Sequence, residues 1–170
     1  MTVWVALRRP LLLAVVLGCT VTLMTAGRLT LRLLIPATLY WSFVPLCEIA
    51  SLAAVSTGRK ISFAETLDRF CISHTAWLLW LTAFAAVWAF VPSVQAYGPA
   101  NSKWIWYALS WLAGGWSAYL DFGFFRRVLG RSPGRAARDL LVQRALAWTS
   151  GLTIFLAYSG WQVALSTLGL

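Results

Sequence analysis

Acidic residues are the scarcest charge in this chain: 170 residues include 5 Asp and Glu, against 14 Lys and Arg, and a single His. Charged residues of all kinds make up 11%, whereas a soluble domain carries about 25%. A shortage of that size excludes a water-soluble fold. Cysteine is equally sparse. Cys19, Cys47 and Cys71 are odd in number, far apart, and set in or beside apolar runs, so no disulfide framework is implied and they read as small buried hydrophobes. One histidine rules out haem held by two histidines, and no paired His or Cys motif with metal-ligand spacing occurs. A glycine-flanked nucleophile and carboxylates paired on one helix turn are also missing. The expectation is a non-enzymatic protein with no metal and no cofactor.

What the chain has in quantity is apolar surface, at 60% of residues with a mean hydropathy of +0.73. Crossing about 30 Å of hydrocarbon takes about 20 apolar residues. The sequence therefore predicts one all-α transmembrane domain over 1–170, a bundle of about five spans at 10–27, 33–55, 70–91, 104–125 and 145–168. Pro36 and Pro45 fall inside the second. Ser62-Phe63-Ala64-Glu65 is a capping box, which starts a helix near Phe63 that continues inward. Pro92 closes the third span, and Gln95 to Lys103, with Tyr97-Gly98-Pro99, reads as a loop. Ser132-Pro133 starts a short basic helix running toward Arg144. Arg8 and Arg9 ahead of Leu11 to Ala26 imitate a signal peptide, but Arg28 and further apolar runs follow, so the segment is read as a retained first span.

Orientation follows from the basic residues, whose excess marks the cytoplasmic side. With the N-terminus inside, the inner loops hold Arg8, Arg9, Arg59, Lys60, Arg69, Arg126, Arg127, Arg131, Arg135, Arg138 and Arg144, which is 11 of 14. The outer side has Arg28, Arg32 and Lys103, so the C-terminus faces outward. The net charge of +9 thus reads as topology rather than nucleic-acid binding. The location implied is a bacterial inner membrane.

Four features bear on function. Glu48 lies seven residues before the inner end of the second span, about 10 Å deep at 1.5 Å per residue, where a carboxylate is costly and functional. His74 and Asp121 fall at similar depth on the third and fourth spans, so these three are the candidate proton or ion site. Arg126, Arg127, Arg131, Arg135, Arg138 and Arg144 form a basic cluster suited to anionic lipid headgroups. The tryptophans, 11 in all, form stripes at Trp77, Trp80, Phe84 and Trp88 and at Trp104, Tyr107 and Trp111, while Trp4, Trp104 and Trp106 fit an interfacial belt. Finally, Ala14, Gly18, Thr22 and Ala26 recur every four residues, and Gly114 and Ala118 form a second small patch. Both permit close helix approach.

Gly58-Arg59-Lys60-Ile61-Ser62-Phe63, Ser73-His74-Thr75, Trp111 to Arg127, and Gly130-Arg131-Ser132-Pro133-Gly134-Arg135-Ala136 together make the chain resemble the Yip-domain family of five-span membrane proteins. The resemblance covers about a third of the chain and implies a five-helix membrane fold and a place in vesicle traffic in its eukaryotic members. Those members carry a tyrosine-glycine-proline motif ahead of the first span, whereas Tyr97-Gly98-Pro99 falls between the third and fourth.

The leading functional expectation is a non-enzymatic membrane subunit or assembly and scaffold factor. It would pack against a partner membrane protein or its own copies, and against anionic lipid. The alternatives are a small ion or solute transporter subunit built on Glu48, His74 and Asp121, and a membrane-embedded enzyme acting on lipid.

Overall fold

The computed structural model describes residues 2–58 and 60–167, and every element among them is helical. The order is α1 (Val3–Ala26), α2 (Leu31–Trp41), α3 (Phe43–Val55), α4 (Phe63–Phe70), a 3₁₀ turn (Cys71–His74), α5 (Thr75–Phe90), α6 (Pro92–Arg127) and α7 (Pro133–Thr167). Four stretches, Val3–Ala26, Leu31–Val55, Phe63–Phe90 and Pro133–Trp161, are long and apolar enough to cross a membrane. The expected fourth span, 104–125, lies within α6, where Trp, Tyr, Gly and Asp121 dilute the hydropathy.

Several boundaries differ from the expected ones, each for a local reason. α1 begins at Val3 and carries Pro10 inside it. The second stretch breaks at Ser42, whose hydroxyl donates to the Leu39 carbonyl at 2.6 Å. Pro45 has no N–H for the carbonyl of Trp41, so the helix must restart there. In the capping box only one half forms: the Glu65 N–H donates to Ser62 Oγ at 3.2 Å, while the Glu65 carboxylate pairs with Arg69 at 2.5 Å. Gln95 to Lys103 is helical rather than a loop, because Pro92 opens α6 at its first turn instead of ending the chain's helical run. The basic helix ahead of Arg144 and the fifth span are one helix, since neither Gly nor Pro interrupts the sequence between Arg135 and Ser150. Leu168, the last residue of that expected span, lies outside the described residues.

The ends of the bundle are set by polar contacts. Arg8 and Arg9 at the start of α1 reach the Asp68 carboxylate on α4 at 3.4 and 3.5 Å. Arg131, between α6 and α7, donates to the carbonyls of Thr57 at 2.6 Å and Val55 at 3.5 Å, and pairs with Asp139 at 3.2 Å. The N-terminus, the link from α3 to α4 and the loop from α6 to α7 therefore share one end. An apolar core sits just inside it, where Phe70 packs against Phe124 and Phe125, with Leu52, Leu67 and Ala136 around them.

Small residues bring α1 and α2 together. A Cβ on Gly18 would lie 2.3 Å from Thr38 Oγ1 and 2.9 Å from Thr38 Cα and N, so the two backbones touch at a point only glycine permits. Ala14 and Thr22 are buried on the same row, but Ala26 is exposed. On α6, Gly114 faces the Trp77 ring, 3.6 Å from where its Cβ would be, and Ala118 is half-buried.

Candidate functional site

All five acids in the chain have a basic or polar partner, and they divide by position. Glu65, Asp68 and Asp139 are paired at the basic end, with Arg69, with Arg8 and Arg9, and with Arg131 and Arg138. Glu48 and Asp121 lie deeper: Glu48 stands 3.8 Å from His74, and Asp121 joins it through Arg144.

The cluster is assembled by helix periodicity. Gln143 and Arg144 are consecutive on α7, so their side chains diverge by about 100° around the helix. Gln143 turns to α3, where its Nε2 donates to Glu48 Oε2 at 2.5 Å and to Ser51 Oγ at 3.0 Å. Ser51 in turn donates to the Glu48 carbonyl at 3.0 Å. Arg144 turns to α6, where Ser117 and Asp121, four residues apart, share one face. Its Nη2 donates to Ser117 Oγ at 2.6 Å and to Asp121 Oδ2 in a short charged contact. The Arg144 Nη1 atom lies 4.0 Å from Glu48 Oε1, which joins the two halves.

His74 closes the cluster from the 3₁₀ turn. Its Nε2 is 3.8 Å from Glu48 Oε2, beyond hydrogen-bond length but close enough for a charged pair. On its other side, His74 Nδ1 lies 3.3 Å from Ser73 Oγ, a hydroxyl that is also 2.9 Å from the Phe70 carbonyl. An N–H at Nε2 points at the Glu48 carboxylate.

Four buried polar atoms in this cluster have no hydrogen-bond partner: His74 Nε2, Asp121 Oδ1, Gln143 Oε1 and Arg144 Nε. Orphaned atoms of this kind are rare in folded proteins, and each calls for an explanation. Glu48, His74 and Arg144 also line a cavity of about 450 Å³ between α1, α2, α3, α5 and α7, whose remaining walls are apolar and include Trp41, Phe43, Trp77, Trp148 and Phe155.

The loop arginines separate into groups. Arg126 and Arg127 are exposed, make no ion pair among the described residues, and border a groove of about 720 Å³ with Arg69, Phe70 and Tyr119. Arg135 is exposed, and Arg138 is exposed while holding Asp139 at 3.0 Å. Arg131 is taken up by the α3–α4 link, and Arg144, grouped with the loop arginines by sequence, points into the bundle. Of the aromatic stripes, Trp80 stacks on Trp106 with centroids 5.6 Å apart and donates to Ser110 Oγ at 3.0 Å, and Phe84 meets the same Trp106 ring edge-on. Trp104, Tyr107 and Trp111 face outward.

Sequence reasoning missed Gln143, Ser51, Ser73 and Ser117, and gave Arg144 to the surface. A signal existed: an adjacent Gln and Arg beside an apolar run, three to five residues beyond Asp139 and Leu140, sit at the depth of Glu48 once α7 is continuous. No group of three or more His, Cys, Asp or Glu suited to a metal occurs among the described residues. No protein-family model, curated protein or solved structure matches the chain.

Proposed function

We propose that this chain is a small ion or solute transporter subunit of a bacterial inner membrane, working around a proton site formed by Glu48, His74 and Asp121 with Arg144 and Gln143. The observation that carries the reading is the convergence of two carboxylates, an imidazole and a guanidinium from α3, the 3₁₀ turn, α6 and α7 in a buried cluster with four orphaned polar atoms. Ionisable residues inside a membrane bundle mark ion pathways and proton relays.

Five crossings with the N-terminus inside fit this reading. α5 leaves the end of the bundle marked by Asp68 and Thr57, and α6 returns to it, so if α5 crosses then α6 crosses too. The basic residues gather at that same end, as cytoplasmic loops do. In proteoliposomes carrying a trapped pH dye, the wild-type chain is expected to pass protons down an imposed pH gradient. Glu48→Gln should cut the rate to near that of empty vesicles. Equal rates for both would remove Glu48 from the pathway.

A second reading, packing against a partner membrane protein or another copy, is favoured by Trp111. Its ring is 81% exposed on α6, and an indole N–H facing hydrocarbon has nothing to bond unless another helix supplies it. Recovery of a stoichiometric partner or a dimer from mild detergent supports it; a lone monomer counts against it.

A further inference from the structure

We infer that the aromatic cavity above Glu48 binds lipophilic organic cations, and that a bound cation and a proton on His74 exclude one another. This rests on the reading of the cluster as a proton site. The first observation is charge. Glu48 and Asp121 contribute −2 and Arg144 +1, so the cluster carries −1 when His74 is neutral and 0 when it is protonated. The other groups facing His74 leave that sum unchanged. Arg9 of α1, which borders the same turn, is paired with Asp68 of α4, Cys71 is a buried free thiol, and Gln143 is neutral. Within the bundle the cluster therefore accepts one positive charge and not two.

The second observation is shape and lining. The cavity of about 450 Å³ falls within the range of small-molecule sites, about 300–1,000 Å³. Glu48 stands at its polar end, and its walls carry three indole rings, Trp41, Trp77 and Trp148, with Phe43 and Phe155. Aromatic faces attract a desolvated cation through their quadrupole. Arg144 does not oppose this strongly, because its guanidinium is engaged by Asp121 and Ser117. An anion entering the cavity would meet the Glu48 carboxylate, whose charged or protonatable partners stand no closer than 3.8 Å. When the cation arrives, the extra proton on His74 leaves to bulk water, and His74 returns to its neutral form.

The test is equilibrium dialysis of the purified full chain in detergent with labelled tetraphenylphosphonium, counting only binding displaced by excess unlabelled ion. Saturable binding is expected, tightening by up to about tenfold per pH unit as pH rises, as exchange of one proton requires. Glu48→Gln should weaken it by about tenfold or more, and His74→Gln should flatten its pH dependence. Tetraphenylborate, of the same shape and opposite charge, should show no saturable binding. Absence of saturable phosphonium binding, or equal binding of the borate, overturns the inference, even where proton flux in vesicles upholds the site itself. Wild-type binding that ignores pH overturns the exclusion. Should Glu48→Gln fail to fold, the comparison of the two ions and the His74→Gln profile decide alone.

Discussion

Glu48 and Asp121 meet the cost of burial by different means. Asp121 is fully buried, with Oδ2 on the Arg144 guanidinium, the pairing that makes a buried charge tolerable, and Oδ1 without a partner. Glu48 has an amide donor at 2.5 Å and two cationic or protonatable groups at 3.8 and 4.0 Å, so no close ion pair holds it and a proton or cation can add to it. Packing at the residue scale is as specific. Gly18→Ala should destabilise the chain by roughly 1–3 kcal/mol, since the added methyl meets the Thr38 backbone as well as its hydroxyl, and the backbone cannot turn aside. Thermal unfolding in detergent measures this, and Gly115→Ala, where a Cβ would meet nothing within 4 Å, is the control that should change little. The Gly18 contact was readable from four-residue spacing, and Glu48 from its depth. Gln143 was not, because its role depends on α7 running unbroken past Arg144, and spacing within α7 does not say which neighbour each face will meet.

The helices were legible where apolar runs end at turn residues and illegible where proline changes its meaning. Pro45 breaks the second stretch at Ser42, Pro10 is carried inside α1, and Pro92 begins α6. Composition alone does not distinguish a proline that stops one helix from one that starts the next. The α6–α7 loop shows the same dependence on context, for its arginines look equivalent in sequence and differ in the fold. We expect Arg126, Arg127 and Arg135, replaced together by Gln, to weaken binding to vesicles containing anionic lipid by about 1 kcal/mol per residue, with insertion unchanged. Arg131→Gln should instead lower stability with little effect on lipid, because Arg131 holds Asp139 and the carbonyls of Val55 and Thr57. Co-sedimentation with such vesicles separates the two, and equal losses in lipid binding would return Arg131 to the surface group.

For the whole molecule, one end collects the basic residues, the aromatic core around Phe70 and the paired acids, and the charge cluster lies just beyond it in the apolar interior. That arrangement predicts sidedness. In a chain with its three native cysteines replaced, a cysteine beside Arg131 should be labelled only from the cytoplasmic side, and one at Leu170 only from the outside. Labelling of both from one side would contradict five crossings. All-helical architecture was legible from composition, since lipid leaves no other use for so apolar a chain. The meeting of Glu48 with His74, and with Asp121 through Arg144, was visible in the sequence only as shared depth, because helix neighbours are chosen by contacts such as Gly18 on Thr38 that sequence shows on one side only. The most direct measurement of whether that meeting makes a working unit is a double-mutant cycle on proton flux in proteoliposomes, using Glu48→Gln, His74→Gln and both together. Residues that hold one proton between them should lose no more flux in the double variant than in either single one; losses that multiply, each variant acting as though the other residue were absent, would contradict a shared site.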